Sequence, residues 1–178
     1  EGMKRLIFVC GPNGVGKSTA CRALVEALPA AAYVDSDWCR AMHPFAFDEE
    51  TIGLVRANIV ALLGNYLRAP FIEDVIFSYG LHGPRKRVFD DVLGALEAME
   101  IAYRLCPLIL TCDPADQIAR MQADARDDAR IRRAIENTRA IYAVYDYPTV
   151  DTTGLTVPQT VERIVRVLAE RYGVQPRG

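Results

Sequence analysis

Eight consecutive residues, Gly11-Pro12-Asn13-Gly14-Val15-Gly16-Lys17-Ser18, fit the spacing G-x-x-x-x-G-K-[ST]. No other stretch restricts the fold so tightly. A loop that wraps an anion with its own amides needs positive φ and close backbone approach, and glycine at 11, 14 and 16 supplies both. Such a loop is held by a strand before it and a helix after it, with the helix dipole aimed at the anion. Both flanks are present. Leu6–Cys10 is the short, continuous apolar run of a strand buried on two faces. Residues 17–28 put Ala20, Leu24, Val25 and Leu28 on one helical face. In a chain of this composition a chance match is on the order of one in a thousand. Gly11, Pro12, Asn13, Gly14, Val15, Gly16, Lys17, Ser18 and Thr19 are therefore expected to hold nucleotide phosphates. Lys17 is expected to reach the β- and γ-phosphates, and Ser18 to place its hydroxyl on Mg²⁺.

The rest of the chain alternates strands and helices. Strands are predicted at 31–34, 71–78, 105–112 and 149–151, the fourth broken early by Pro107. Helices are predicted over about 48–68 and 84–99. Another runs from about 114, is interrupted by the charged stretch 124–130 and resumes to about 144. The last covers 157–172. This order implies α/β architecture, a parallel sheet covered on both faces. With 178 residues, one domain is expected over residues 3–178.

Composition narrows the function. The chain is 51% hydrophobic and 25% charged, with a net charge of −2, so neither disorder nor a general nucleic-acid or membrane surface is expected. Five cysteines without metal-ligand spacing suggest free thiols, and no apolar run reaches the length of a membrane span; a cytoplasmic location is expected. A GTPase would need N-K-x-D, and Lys4, Lys17 and Lys86 all lack that setting.

Taken together, the loop, the strand–helix order and the pair Asp35-Ser-Asp37 resemble the P-loop small-molecule kinases: shikimate kinase, gluconate kinase, chloramphenicol phosphotransferase and their relatives. The resemblance implies a three-layer P-loop NTPase fold. Its five-stranded parallel sheet would have the order 2-3-1-4-5, with an arginine-rich helical lid at about 120–133. It implies ATP and Mg²⁺ as cofactors. Asp35 would stand near the Mg²⁺ shell, and Asp37 would hold and help deprotonate an acceptor hydroxyl. The bland alternative for Asp37 is an N-cap to the segment beginning at Trp38. Two departures stand out. The usual acid closing strand three is replaced by Ser78, while Glu73 and Asp74 lie near that strand's start. The glycine-rich segment of shikimate kinase is replaced by residues 78–87, so shikimate is not carried over as substrate.

Five arginines fall within 120–133. By position Arg120 resembles an adenine-stacking arginine, and Arg126 or Arg130 a lid arginine near the transferring phosphate. The planar guanidinium suits such work. Acids at 124, 127 and 128 also allow ordinary helix-face pairs such as Asp128–Arg132. Ser78 and Arg85 or Arg87 are candidates for the acceptor site, as is Arg56, which sits where shikimate-type kinases carry a substrate arginine. His82 could orient a hydroxyl. Trp38, Phe45, Phe47 and Tyr79 are expected to border the acceptor pocket, and Val150-Asp151-Thr152-Thr153-Gly154 resembles the family's fifth-strand loop beside the adenine.

The expected function is transfer of the ATP γ-phosphoryl group to a hydroxyl of a small-molecule acceptor, by a monomer or homodimer. A nucleoside, nucleotide or nucleic-acid 5′-hydroxyl is the alternative acceptor, nucleic acid being opposed by the acidic balance. An ATP-binding regulatory module with slow ATPase activity is the alternative of another class.

Overall fold

A computed structural model describes residues 2–178. Five parallel strands, β1 (Arg5–Cys10), β2 (Ala31–Asp35), β3 (Asp74–Ser78), β4 (Arg104–Thr111) and β5 (Thr149–Asp151), form one sheet in the order β2-β3-β1-β4-β5. The expected strand order is therefore observed. Helices α1 (Lys17–Ala27), α2 (Glu49–Arg68), α3 (Arg85–Ala98), α4 (Pro114–Ala123), α5 (Asp128–Arg133) and α6 (Val157–Tyr172) connect and cover the strands.

Period-two alternation on β1 builds both cores. Leu6 and Phe8 face one cluster with Ile59 and Leu63 of α2 and Phe89 and Val92 of α3. Ile7 and Val9 face the other with Leu24 of α1 and Ile164 and Leu168 of α6. Phe8 stacks on Phe89 with ring centroids 4.1 Å apart. This places every strand's carboxyl end, and the loop after β1, at one rim of the sheet.

Several boundaries differ from the sequence expectation. Strand β4 runs unbroken through Pro107, which sits opposite Phe8. A strand residue's N–H and C=O point to the same side. The Pro107 carbonyl accepts from the Tyr172 hydroxyl at 2.7 Å, and β5 pairs with β4 only from Ile109 onward. The missing N–H thus falls where no strand needs it. Strand β3 begins at Asp74 rather than 71, after a turn whose Phe71 is exposed. Buried Asp74 pairs with Arg5 through Oδ1–Nε (2.5 Å) and Oδ2–Nη2 (3.2 Å). That pair lies at the sheet's amino end, far from the loop after β1. Beyond α5 the chain does not resume an α-helix. It widens into a π turn (Ala134–Thr138) and tightens into a 3₁₀ turn (Ala140–Val144). All five cysteines are free and buried. No helix among the described residues is long and apolar enough to cross a membrane.

Candidate functional site

The loop between β1 and α1 is shaped by its glycines. Gly11 has φ +141°, and a Cβ there would stand 2.2 Å from the Leu110 carbonyl oxygen. Gly14 has φ +85° and lies on the buried Met121 side chain of α4, 2.4 Å from where a Cβ would be. Gly16 caps α1 in the left-handed region. Lys17 folds over the loop and donates from Nζ to the carbonyls of Gly11 (2.7 Å) and Pro12 (3.0 Å). Burial pushes its pKa from 10.5 down to about 8, with the charge of Arg126 adding to the depression.

At the end of β2, Asp35 is almost fully buried. Its Oδ2 accepts from the Ser18 hydroxyl at 2.7 Å and the Tyr33 hydroxyl at 2.9 Å. Its Oδ1 accepts from the Asp37 amide at 2.9 Å, capping a 3₁₀ turn at Ser36–Arg40. The capping role considered for Asp37 is therefore filled by Asp35. Tyr33 also meets the Ser78 hydroxyl at 2.8 Å, across the register that pairs Asp35 with Ser78. Ser18 and Asp35 are hard oxygen donors beside the phosphate loop and fit a Mg²⁺ ion that takes its remaining ligands from phosphate and water. Among the described residues no group of three or more His, Cys, Asp or Glu side chains could hold a metal alone.

The 3₁₀ turn carries Asp37 and Arg40 on one side. Arg40 donates from Nη2 (2.8 Å) and Nε (3.2 Å) to Asp37 Oδ1. The Arg40 guanidinium lies 5.9 Å from the Phe45 ring centre, and that of Arg85 lies 5.0 Å from the Phe47 ring centre. The two rings meet edge-on at 5.1 Å. Burial lowers the Arg85 pKa, with the Arg40 charge acting in the same direction. His82 is pushed down to about 4, first by burial and then by Arg85, Lys17 and Arg40, so its ring is neutral at neutral pH.

These groups share one cleft of about 460 Å³ along the sheet's carboxyl rim. One end is lined by Arg120, Leu155, Val157 and Thr160, the middle by the loop, and the other end by Asp37, Arg40, Ser78, Tyr79, His82 and Arg85. Such a rim is where open α/β sheets bind ligands. Asn13, Gly14, Val15, Gly16, Lys17, Ser18, Thr19, Asp35, Arg126 and Arg130 also line it.

Arg120 uses its edges. Nη1 donates to the Val15 carbonyl (2.8 Å) and the Thr152 hydroxyl (2.8 Å), and Nη2 to the Thr152 carbonyl (2.9 Å). It thereby joins the loop after β1 to the turn before α6. Buried Gln117 adds a second tie, donating to the Asn13 carbonyl at 2.6 Å while accepting from Arg139 at 2.8 Å. Arg126 is paired weakly with Asp124 at 3.5 Å. The expected Asp128–Arg132 pair is not among the ion pairs of the described residues. Instead Asp127 caps α5 through the Arg130 amide.

Arg56 does not enter the cleft. It pairs with Asp91 of α3 at 3.2 Å, on the outer face of the α2–α3 layer. The reason is helical phase: Val55 and Ile59 turn toward the sheet, which leaves Arg56 facing α3. Arg87 is exposed and absent from the cleft, as is Trp38, whose ring meets Tyr33 edge-on at 5.0 Å. Tyr33, Arg40, Gln117 and Arg139 were not legible as site residues. Tyr33 carried one usable signal, its place two residues before Asp35 on the same strand face.

The fold and the cradle define a P-loop nucleotide-binding protein of the three-layer α/β type. The profile of the AAA domain family matches residues 7–141, well over half of the chain, and the chain belongs to that family. No curated protein sequence matches it significantly. Among solved structures, the gluconokinase from Sinorhizobium meliloti 1021 is 16% identical, with 96% of this chain and 94% of that chain covered at a TM-score of 0.64. The shikimate kinase from Bacteroides thetaiotaomicron is 19% identical, with 94% and 99% covered at 0.60. The Deinococcus radiodurans tunicamycin resistance protein is 16% identical, with 98% and 99% covered at 0.59. At these identities the likeness is one of fold, spanning nearly the whole chain and singling out no one of these families.

Proposed function

We propose that the protein is an ATP- and Mg²⁺-dependent phosphotransferase that passes the γ-phosphoryl group to a hydroxyl of a small molecule. The observation that carries this reading is the continuity of the cleft. The nucleotide-phosphate cradle and the polar end of the same cleft, a chamber lined by Asp37, Arg40, Ser78, His82 and Arg85, form one space, and a simple nucleotide hydrolase would not need that end. Kinase folds named among the solved relatives support it.

In this reading the loop amides and Lys17 hold the phosphates, and the cleft end at Arg120, Leu155 and Val157 takes the base. Ser18 and Asp35 would hold Mg²⁺, which would supply charge neutralisation for the phosphates. Tyr33, itself hydrogen-bonded to Ser78, fixes the Asp35 carboxylate. Asp37 has Oδ1 tied to Arg40 and Oδ2 without a protein partner among the described residues. It orients the acceptor hydroxyl and receives its proton. The acceptor oxygen then bonds to the γ-phosphorus as the bond to the β-phosphate oxygen breaks, releasing ADP. Arg126 and Arg130, on a lid at about 120–133, neutralise charge on the transferring group. Positioning and charge supply most of the rate.

The test is an ADP-release assay over polyols, sugar acids, nucleosides and antibiotics with wild type and Asp37→Ala. The expected result is acceptor-dependent ADP release lost in Asp37→Ala with nucleotide affinity retained. Acceptor-independent ATPase as the sole activity would replace this reading with a regulatory nucleotide-binding module.

A further inference from the structure

Building on the phosphotransferase reading, we infer that the acceptor carries an anionic group, a carboxylate or phosphate monoester, and that Arg40 and Arg85 form its binding fork. The inference names the acceptor's chemical class and gives Arg40 a role in binding it.

Charge balance is the first support. The cleft is lined by Lys17, Arg40, Arg85, Arg120, Arg126 and Arg130 against only Asp35, Asp37 and Asp124. At the chamber end the local carboxylate is Asp37, and Arg40 already neutralises it. Arg85 has no ion pair and no side-chain hydrogen bond among the described residues, although it is half-buried, lines the same cleft as Arg40 and feels that residue's charge. Like charges brought together out of water are unfavourable until an anion joins them.

Orientation is the second support. Each guanidinium lies over an aromatic ring, Arg40 5.9 Å from the Phe45 centre and Arg85 5.0 Å from the Phe47 centre, and the two rings meet edge-on. A guanidinium held over a ring face spends no N–H donor on it, which leaves the donors free for the two oxygens of a carboxylate or phosphate. Arg40 spends the N–H of Nε and one of Nη2 on Asp37, leaving three donors, while among the described residues no protein group takes any N–H of Arg85. Neutral His82, which lines the same end of the cleft, adds no competing charge. Because Arg40 contacts Asp37 directly, an anion on the fork sets the acceptor's hydroxyl next to the carboxylate that orients it. A neutral polyol would leave Arg85 unpaired and desolvated, so discrimination follows from the same contact.

Binding is measured by calorimetry on the whole chain loaded with Mg²⁺ and a non-hydrolysable ATP analogue, which occupies the phosphate loop. The probes are matched pairs: gluconate and glucitol, glycerol 3-phosphate and glycerol, ribose 5-phosphate and ribose. The expected result is that an anionic member binds and its neutral partner binds far more weakly. Arg85→Met should weaken the anion about thirtyfold, as loss of a partly desolvated charged partner does. Arg85→Lys should recover part of the loss, which a folding defect would not. The carboxylate and phosphate arms tell which anion the fork prefers. Equal binding within every pair, no binding by any anion, or anion binding unchanged in Arg85→Met would overturn the inference. An ADP-release assay on the same pairs separates the two claims. Transfer to neutral acceptors that ignores Arg85→Met refutes the fork and upholds the kinase. Arg85-dependent binding without transfer does the reverse.

Discussion

Raising the pH should weaken nucleotide binding through one side chain, Lys17. In the free protein its pKa is about 8, against 10.5 for an ordinary lysine. Burial is the main cause, and the Arg126 charge acts in the same direction. A bound triphosphate supplies the missing negative charge and returns the pKa toward its ordinary range. Binding must then take up a proton wherever free Lys17 is neutral. About half a proton is expected at pH 8 and roughly 0.9 at pH 9, so affinity should fall about fivefold between pH 8 and 9 and approach tenfold, or ~1.4 kcal/mol, per pH unit beyond that. Neighbouring groups do not blur this window, because burial pushes the Cys10 thiol up to about 12 and raises Tyr33 and Tyr79 as well. The sign for folding is also fixed. Between about pH 8 and 10.5 the unfolded chain holds a proton that the folded chain has lost, so unliganded stability gains from Lys17 as pH rises through that range. Calorimetric titration of the ATP analogue at pH 9, in two buffers of different ionisation heat, counts the protons directly. Lys17→Ala should bind weakly and without uptake. An affinity that is flat from pH 7.5 to 9.5, with no proton uptake, would refute the reasoning.

Three further outcomes follow from contacts elsewhere. Arg5→Met leaves the fully buried Asp74 carboxylate without its partner and should cost about 3–5 kcal/mol in urea unfolding, while nucleotide affinity at low temperature stays unchanged. Tyr33→Phe removes a hydroxyl shared by Asp35 and Ser78. It should cost about 1 kcal/mol of stability and raise the Mg²⁺ concentration needed for half-maximal activity. Arg56→Ala should change stability by less than about 1 kcal/mol and leave kinetic constants alone, since its pair with Asp91 is half-exposed and outside the cleft.

What the sequence made legible was whatever local geometry dictates. The phosphate loop could be read because each glycine answers a specific backbone demand, at Gly11 the approach of the Leu110 carbonyl. The sheet order was implied by the family resemblance and is observed. Arg56 misled because a helix's phase is set by which neighbours bury, and Val55 and Ile59 settled it only in three dimensions. Arg40 was missed because its pairing with Asp37 depends on a 3₁₀ turn, where residues three apart coincide. Pro107 misled for a related reason: whether a strand tolerates proline depends on which edge lacks a partner at that residue.

The most direct test of the account is the fate of the γ-phosphorus. Phosphorus NMR of ATP, Mg²⁺ and an acceptor turned over by the wild-type chain should show a new phosphate ester growing in step with ADP. Asp37→Asn should abolish that resonance while still binding the ATP analogue. If the γ-phosphorus appears only as inorganic phosphate, at the same rate with and without acceptor and in Asp37→Asn, the protein is not the phosphotransferase described.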